Sequence, residues 1–300
     1  MKLKVLFSAL VVTLFLAVSC EKQTLQTNSI IDNETLALVD DEVLADINFA
    51  ELLDEGDDGI FWGDAGFFSL KSAETERGTC PAKEVEKTDS TFVVTLVFSG
   101  DDCGKSGTII IEYSKSGHKI KNGKKSITYV DFTNKRGVTF NGTKTIVRGN
   151  GNYNIKAELT ITKENDNGDI VMFVRNYHRQ IKWICGLDTR MNRDDNIKEV
   201  TGQSEVVKYI NGEEVKSYSR KIVEPLLIVK ACALKIQAGL VKIEKGDGTE
   251  LKINYGKVDE EISCDDEFDC NSEIEVTKDG ETFTIKFDEN GKRIKQEKED

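Results

Sequence analysis

The chain has 300 residues, a net charge of -12, 24 glycines and only two prolines. This acidic balance argues against a nucleic-acid partner, because domains that bind nucleic acids carry basic surfaces. Many glycines, few prolines and abundant Thr, Val and Ile are typical of a β-rich fold whose turns are made by glycine.

The first 20 residues have the organisation of an export signal. Two lysines precede a mostly apolar run over residues 5–18, which is too short for a membrane-spanning helix of about 20 residues. The run ends in Ala17-Val18-Ser19-Cys20, which resembles a bacterial lipobox. The resemblance implies removal of residues 1–19, acylation of Cys20 (palmitate is the expected fatty acid) and a mature chain held on a membrane. An ordinary cleaved signal with an incidental cysteine is the alternative.

A tether and an acidic helix are predicted next. Residues 20–33 are polar and without pattern, which is typical of a flexible tether. Residues 34–54 carry apolar side chains at helical spacing with acids on the opposite side, which predicts an amphipathic helix. Residues 21–60 hold twelve acids and one base, about -11 of the net charge of -12. The rest of the chain is therefore close to neutral.

An aromatic segment is predicted to cover an apolar surface. Asp57-Asp58-Gly59 predicts the end of the helix, and four aromatic residues follow, namely Phe61, Trp62, Phe67 and Phe68. Helix and cover segment together form a region over residues 34–78.

From about residue 79 the apolar side chains repeat at every second position. Residues 153–162, 250–255 and 282–287 alternate in this way, which predicts antiparallel strands with one buried and one solvated face. The segment Pro225–Val229 is apolar on both faces, which predicts a central strand. Asn-Gly and Asp-Gly pairs predict tight hairpin turns, and they occur at Asn122-Gly123, Asn141-Gly142, Asn167-Gly168, Asn211-Gly212, Asp247-Gly248, Asp279-Gly280 and Asn290-Gly291.

These patterns predict a mainly β fold with roughly twelve strands over residues 79–290 and a charged tail over residues 291–300. The strands are expected to form a large antiparallel meander, either one curved open sheet or two stacked sheets. The N-terminal helix is expected to pack on it, because a sheet with one apolar face must bury that face.

The cysteines favour disulfides. Apart from Cys20 there are six, an even number that suggests pairing in an exported chain. The preferred pairs are Cys80 with Cys103, which bracket a predicted hairpin, Cys232 with Cys270, and then Cys185 with Cys264. A metal site is disfavoured, because the chain has no Cys-x-x-Cys and only two histidines. No cofactor or metal is expected.

Motifs that suggest chemistry have simpler explanations. Residues 100–106 resemble a phosphate-binding loop, but they are one residue short and lead into a strand, so a turn is predicted. Asp265, Glu267 and Asp269 alternate as in a calcium loop, yet the required glycine and the bidentate glutamate are missing. The basic hairpin around His118 is interpreted as a solvated tip, with anionic headgroups as the alternative ligand.

His178 is the histidine with the more varied surroundings. Alternation places it on one face with Asn176, Gln180 and Lys182, opposite Tyr177, Ile181 and Trp183. A catalytic histidine needs an orienting acid and a nucleophile nearby, and no motif supplies them. An exposed strand histidine is therefore predicted, while Arg175, Arg179 and Trp183 mark the first place to look for an active site.

The body of the chain resembles a family of uncharacterised Bacteroidota cell-envelope lipoproteins. The resemblance covers residues from about 90 to 288 and is carried by strand and turn segments in a shared order. These segments are residues 95–98 leading to Cys103, residues 105–113, 140–145, 224–232, 239–243 and 251–256, and Cys270. It implies an all-β exported lipoprotein with no assigned activity. Cys185 and Cys264 are additional to the usual pattern.

The expected function is a non-catalytic, lipid-anchored envelope protein that binds a lipid, glycan or protein ligand through its sheet or loops. The outer membrane is the expected membrane, with the periplasmic face or the cell surface left open. A surface adhesin or structural assembly subunit is the alternative. An envelope hydrolase is the third possibility, and it would need acids or His178 converging in a cleft.

Overall fold

A computed structural model describes residues 31–66, 80–88, 90–100, 104–114, 124–149, 152–165, 167–186, 196–257, 262, 264, 268–288 and 292–294. Within these residues it has one helix, α1 (Asn33–Gly66), and thirteen strands. The strands are β1 (Ala82–Lys87), β2 (Thr91–Ser99), β3 (Ser106–Ser114), β4 (Lys124–Thr133), β5 (Thr139–Gly149), β6 (Asn152–Glu164), β7 (Ile170–Cys185), β8 (Ile197–Ile210), β9 (Glu213–Val229), β10 (Ile236–Lys245), β11 (Glu250–Asn254), β12 (Glu273–Lys278) and β13 (Glu281–Lys286).

The strands form a single open sheet in which each strand pairs antiparallel with the next along the chain. The predicted mainly β meander with an N-terminal helix is thereby confirmed. Of the two expected arrangements, one sheet rather than two stacked sheets is present. Chain order and spatial order coincide, so α1 is the only described element whose partners lie far along the chain.

Alternation along the strands separates two faces of the sheet. In β6, Tyr153, Ile155, Ala157 and Leu159 are buried, while the residues between them are exposed. We call the buried side, which packs against α1, the inner face, and the opposite side the outer face.

The predicted turns at Asn167-Gly168, Asn211-Gly212, Asp247-Gly248 and Asp279-Gly280 are present between consecutive strands. The turn predicted at Asn141-Gly142 is wrong, because both residues lie inside β5 and pair with β6. Asn122-Gly123 and Asn290-Gly291 lie outside the described residues.

Positive φ occurs where the Asn-Gly and Asp-Gly turns require it. Asn211 and Asp279 adopt φ angles of 51° and 52° at the first turn positions of the β8–β9 and β12–β13 hairpins. Such angles suit two-residue turns that match the strand twist, and Asn and Asp tolerate them better than most residues.

Two glycines inside strands bring neighbouring backbones unusually close. Gly142 in β5 and Gly202 in β8 have φ angles of 118° and 133°. A Cβ atom would lie 2.2 Å from the Glu158 carbonyl oxygen at the first position and 2.2 Å from the His178 carbonyl oxygen at the second. Only glycine fits such an approach, and glycine kinks of this kind give a sheet its curvature.

The main core lies between the inner face and α1. Val39, Val43 and Ile47 of α1 belong to one buried cluster that extends from Phe92 in β2 to Phe287 after β13. A second, smaller cluster includes Leu227, Val229 and Cys232. Leu226–Val229 are buried on both faces inside the sheet, which agrees with the central strand predicted for this segment.

Helix α1 differs from the prediction in its end. It begins after Asp32, whose carboxylate accepts hydrogen bonds from the Thr35 backbone N–H and hydroxyl, both at 2.8 Å, as an N-cap. It continues to Gly66 instead of ending at residues 57–59, so part of the predicted cover segment is helical. Side chains of α1 are described as far as Ala50.

The described part of the chain contains no helix that is long and apolar enough to cross a membrane.

Candidate binding sites on the two faces of the sheet

The acids of α1 face the sheet, contrary to the simple amphipathic pattern. Asp41, Glu42 and Asp46 are buried, with exposures of 7%, 0% and 1%. The prediction that acids fill only the side opposite the apolar stripe is therefore wrong for these three. They are buried because the inner face supplies basic side chains at the positions they reach.

Glu42 lies between two arginines of the inner face. Its carboxylate accepts hydrogen bonds from the Arg175 guanidinium, including one 3.4 Å contact from Nη1, and lies 2.9 Å from Arg220 Nε. The Tyr218 hydroxyl donates to Glu42 Oε1 at 2.5 Å. Burial by itself would raise the pKa of Glu42, but the two guanidiniums and the Tyr218 hydroxyl hold it below its usual value. Glu42 is thus a charged group within the core.

Asp46, one helical turn further along α1, has an equivalent set of partners. Arg220 Nη2 donates to Asp46 Oδ2 at 2.5 Å, and the Tyr255 hydroxyl donates to the same oxygen at 3.0 Å. Arg179 Nη2 lies 3.4 Å from Oδ1. Arg220 therefore links the two carboxylates, since it contacts both.

Arg179 is the least compensated of the three arginines. Its guanidinium carbon lies 3.9 Å from the centre of the Phe49 ring, and its one carboxylate contact among the described side chains is the 3.4 Å contact to Asp46. Burial, followed by the nearby charge of Arg220, lowers the pKa of Arg179 to about 10. We call Arg175, Arg179, Arg220, Tyr218 and Tyr255 the inner cationic site.

The inner cationic site holds more donors than α1 satisfies. Three guanidiniums face the two carboxylates of Glu42 and Asp46. Among the described residues, Arg175 Nε, Arg179 Nε and Arg220 Nη1 have no hydrogen-bond acceptor. Buried N–H groups without an acceptor are unfavourable, so the site has unused capacity to bind an anion.

A ring of more exposed ion pairs surrounds this centre. Asp32 and the acids at positions 34, 40 and 41 of α1 each form an ion pair with a lysine of the sheet or with Arg293. These pairs are Asp32–Lys278, Glu34–Lys216, Glu34–Lys245, Asp40–Arg293, Asp41–Lys163 and Asp41–Lys208. The more exposed of these pairs, such as Asp32–Lys278, contribute little individually, whereas Asp41 is buried between Lys163 and Lys208. Together they explain why one segment is strongly acidic, since the cations that balance it lie on β6, β8, β9, β10 and β12 and just beyond β13.

The outer face carries a second candidate site, an open cavity of about 490 Å³. Its outward-facing polar side chains come from four adjacent strands, and they are Thr143, Thr145, Lys156, Glu158, Asn176, His178, Gln203 and Glu205. We call this set the outer groove. His178, Asn176, Gln180 and Lys182 are exposed, while Tyr177 and Ile181 are buried, as the alternation predicted.

The residues singled out around His178 are divided between the faces. Arg175 and Arg179 lie on the inner face, with exposures of 4% each, and Trp183 is half-buried. His178 lies on the outer face and has no hydrogen-bond partner among the described residues, so no described acid orients it. The arrangement does not assemble these residues into one catalytic cluster.

Two of the preferred cysteine pairs are present as disulfides, Cys185–Cys264 and Cys232–Cys270. The third pair involves Cys103, which lies outside the described residues, as do Cys20, His118, Asp265 and Glu267. Among the residues that the structure describes, no group of three or more His, Cys, Asp or Glu side chains could hold a metal ion.

The alternation in β7 indicated which residues share a face, but it did not predict that Arg175 and Arg179 are buried. The sequence did contain a signal for this. Arg175, Arg179 and Arg220 occupy strand positions where apolar residues are expected, and the acidic helix could have been predicted to pair with them.

Comparison with protein-family models, with curated proteins and with solved structures finds no match for this chain.

Proposed function

We propose that the chain is a lipid-anchored, non-catalytic binding protein of the cell envelope, attached through Cys20 to a membrane, with the outer membrane as the expected one. Its ligand binds at the inner cationic site when α1 is displaced. The observation that supports this function is the burial of three guanidiniums against two carboxylates among the described side chains, both of them supplied by a helix.

Ionic packing makes α1 easier to displace than a strand. The strands are held by backbone ladders, whereas the polar contacts of Asp32, Asp41, Glu42 and Asp46 with the sheet are made through side chains. Buried ion pairs often stabilise a fold less than apolar side chains of similar size would. A helix retained only for stability would therefore gain from apolar residues at positions 42 and 46.

The surroundings of α1 indicate the class of ligand. Glu42 and Asp46 supply the anions, while Val39, Val43 and Ile47 supply the apolar contacts with the sheet. A ligand that replaces α1 must match both properties. An amphiphile with a carboxylate or phosphate headgroup and an acyl chain matches them, because its headgroup meets the arginines and its chain meets the core.

The test is a titration of the unlipidated mature chain with the fluorescent fatty acid cis-parinaric acid, together with native mass spectrometry. We expect a one-to-one complex and faster hydrogen exchange of the α1 amides when the fatty acid is bound. Arg179→Met should weaken binding about tenfold, the effect of losing one charge-assisted hydrogen bond of about 1.5 kcal/mol. Lys221→Met is the matched control, because Lys221 is an exposed cation on the outer face.

Failure to bind, or equal binding by the Arg179→Met and Lys221→Met variants, would contradict the proposal. Binding with unchanged exchange in α1 would also contradict it, because the ligand would then lie elsewhere.

The alternative function, a surface adhesin or assembly subunit, depends on the two sheet edges. The edge strand β1 carries Lys83, Glu84 and Glu86, and charged edges resist strand addition. At the other edge, the Ile294 N–H donates to the Lys286 carbonyl, so the chain folds back along the end of β13. These features favour ligand binding over assembly, and a concentration-independent monomer mass in light scattering is the expected result.

A further inference from the structure

We infer that the outer groove is a second binding site, and that it takes a neutral, polyhydroxylated chain, that is, an oligosaccharide. This site lies on the face opposite the inner cationic site and does not depend on the function proposed above.

The groove coincides with two close backbone approaches in the sheet. Gly142 and Gly202 occupy the strands on either side of β6 and β7, and their close approaches are to the carbonyl oxygens of Glu158 and His178. Both carbonyls belong to residues that line the groove. The groove crosses four strands, about 14 Å at the usual strand spacing.

The lining consists of two adjacent cross-strand rows. Thr145, Lys156, His178 and Gln203 pair in sequence across β5 to β8 in one row. Thr143, Glu158, Asn176 and Glu205 pair across the same strands in the other. The rows therefore offer hydroxyls, amides, carboxylates, an ammonium group and an imidazole on one surface.

Six of these side chains have no hydrogen-bond or ion-pair partner among the described residues, namely Lys156, Glu158, Asn176, His178, Gln203 and Glu205. Elsewhere on the outer face, comparable residues do pair. Lys242 lies 2.6 Å from Glu250, the Thr277 and Thr282 hydroxyls are 2.9 Å apart, and Lys182 lies 3.4 Å from Glu199. The six groove side chains are therefore available to a ligand, whereas the side chains of these three pairs already contact each other.

The chemistry of the lining selects the occupant. An anionic polymer is disfavoured by Glu158 and Glu205, and a purely apolar ligand would leave the eight polar side chains of the lining without hydrogen bonds. A peptide strand would need free backbone groups, and those of β5 to β8 are used in the sheet ladders. Vicinal hydroxyls of a saccharide, which both donate and accept, match amides and carboxylates in adjacent rows.

The experiment is chemical-shift mapping of the unlipidated mature chain with cellotetraose, maltotetraose and N,N′,N″,N‴-tetraacetylchitotetraose, each added separately. At least one is expected to shift amide signals of β5 to β8 around the groove and to leave those of α1 unchanged. The Asn176→Ala/Gln203→Ala variant should bind about tenfold more weakly, since two hydrogen bonds of roughly 0.7 kcal/mol each are lost.

The matched control is Asn154→Ala/Gln180→Ala. Asn154 and Gln180 are exposed amides on β6 and β7 that face the same side of the sheet but do not line the groove. This variant should bind as the unmodified chain does. No shift with any of the three sugars, equal weakening by both variants, or shifts centred on α1 and the inner cationic site would each overturn the inference. Fatty-acid binding tests the inner site separately, so either proposal can fail without the other.

Discussion

The inner cationic site and the outer groove share strand β7, yet they treat polar side chains in opposite ways. Arg175 and Arg179 are buried and contact carboxylates of α1, whereas Asn176 and His178, next to them in the chain, are exposed and unpaired among the described residues. Polarity alone therefore does not decide whether a side chain of β7 is buried. Arg175 and Arg179 can be buried on the mostly apolar inner face because α1 supplies acids that they contact.

Among the variants that test this difference between the faces, Arg220→Met is expected to reduce stability most. Arg220 contacts both Glu42 and Asp46, so its loss leaves two buried carboxylates short of a cation. We expect the free energy of unfolding to fall by about 3–5 kcal/mol, measured by urea denaturation. Lys221→Met, next to it on the outer face, should change stability by less than about 0.5 kcal/mol. Similar losses in the two variants would remove the distinction between the faces.

A smaller loss of stability is expected on acidification than in Arg220→Met, because the arginines remain in place. The pKa of Glu42 in the folded chain lies below its ordinary value of 4.5, and those of Asp32 and Glu34 are also lowered, each by a lysine hydrogen bond. A carboxyl with a depressed folded pKa stabilises the fold above its unfolded pKa, and this contribution is lost as the pH falls through the folded value. Stability should therefore decrease below about pH 4.5.

Urea denaturation at a series of pH values measures this decrease. Glu42→Gln should flatten the acid limb of the stability profile, since a glutamine has no proton to gain. An acid limb that is unchanged in this variant would show that Glu42 is not charged in the core.

The next smaller effect on stability is expected at Gly202, which lies against the backbone of His178 and Arg179, one residue of each face. Gly202→Ala should cost about 1–3 kcal/mol, because the new Cβ would lie 2.2 Å from the His178 carbonyl oxygen and φ is 133°. Gly212→Ala is the control, since φ is also positive at 87° there but nothing lies within 4 Å of the Cβ position. Denaturation should show a clearly smaller loss in the control, and equal losses would mean that φ alone matters.

The smallest change in stability is expected from substitutions in the outer groove. Asn176→Ala and His178→Ala remove exposed side chains without partners among the described residues, so each should change the free energy of unfolding by less than about 0.5 kcal/mol. A loss of more than 1 kcal/mol in thermal or urea unfolding would show that the groove is part of the structural framework, and it would break the contrast with Arg175.

Much of the fold could be predicted from the sequence because its rules are local. The alternation of Tyr153, Ile155 and Ala157 fixed the inward face, and pairs such as Asn211-Gly212 fixed the turns. The inner cationic site could not be predicted in the same way. Glu42 and Arg175 are 133 residues apart, and alternation says which side a residue faces without saying what lies opposite.

The helix end shows the same limit. Asp57-Asp58-Gly59 carries ordinary signals for the end of a helix, yet α1 continues to Gly66. Propensity is a weak local preference that tertiary packing overrides, and the packing of α1 is set by strands far along the chain. The outer groove could not be predicted either, because its lining residues come from four strands, β5 to β8, whose pairing register brings them together.

The sequence separation of α1 from its partners has a consequence for the order of synthesis. Asp32 precedes Lys278 by 246 residues, so at about 5–20 residues per second the helix is made roughly 10–50 seconds before the last strand that holds it. During that interval, Asp41, Glu42 and Asp46 are expected to keep part of the sheet-facing side of α1 hydrated, next to the apolar Val39, Val43 and Ile47. A helix with apolar residues at all of these positions would expose a larger apolar surface until the strands are made.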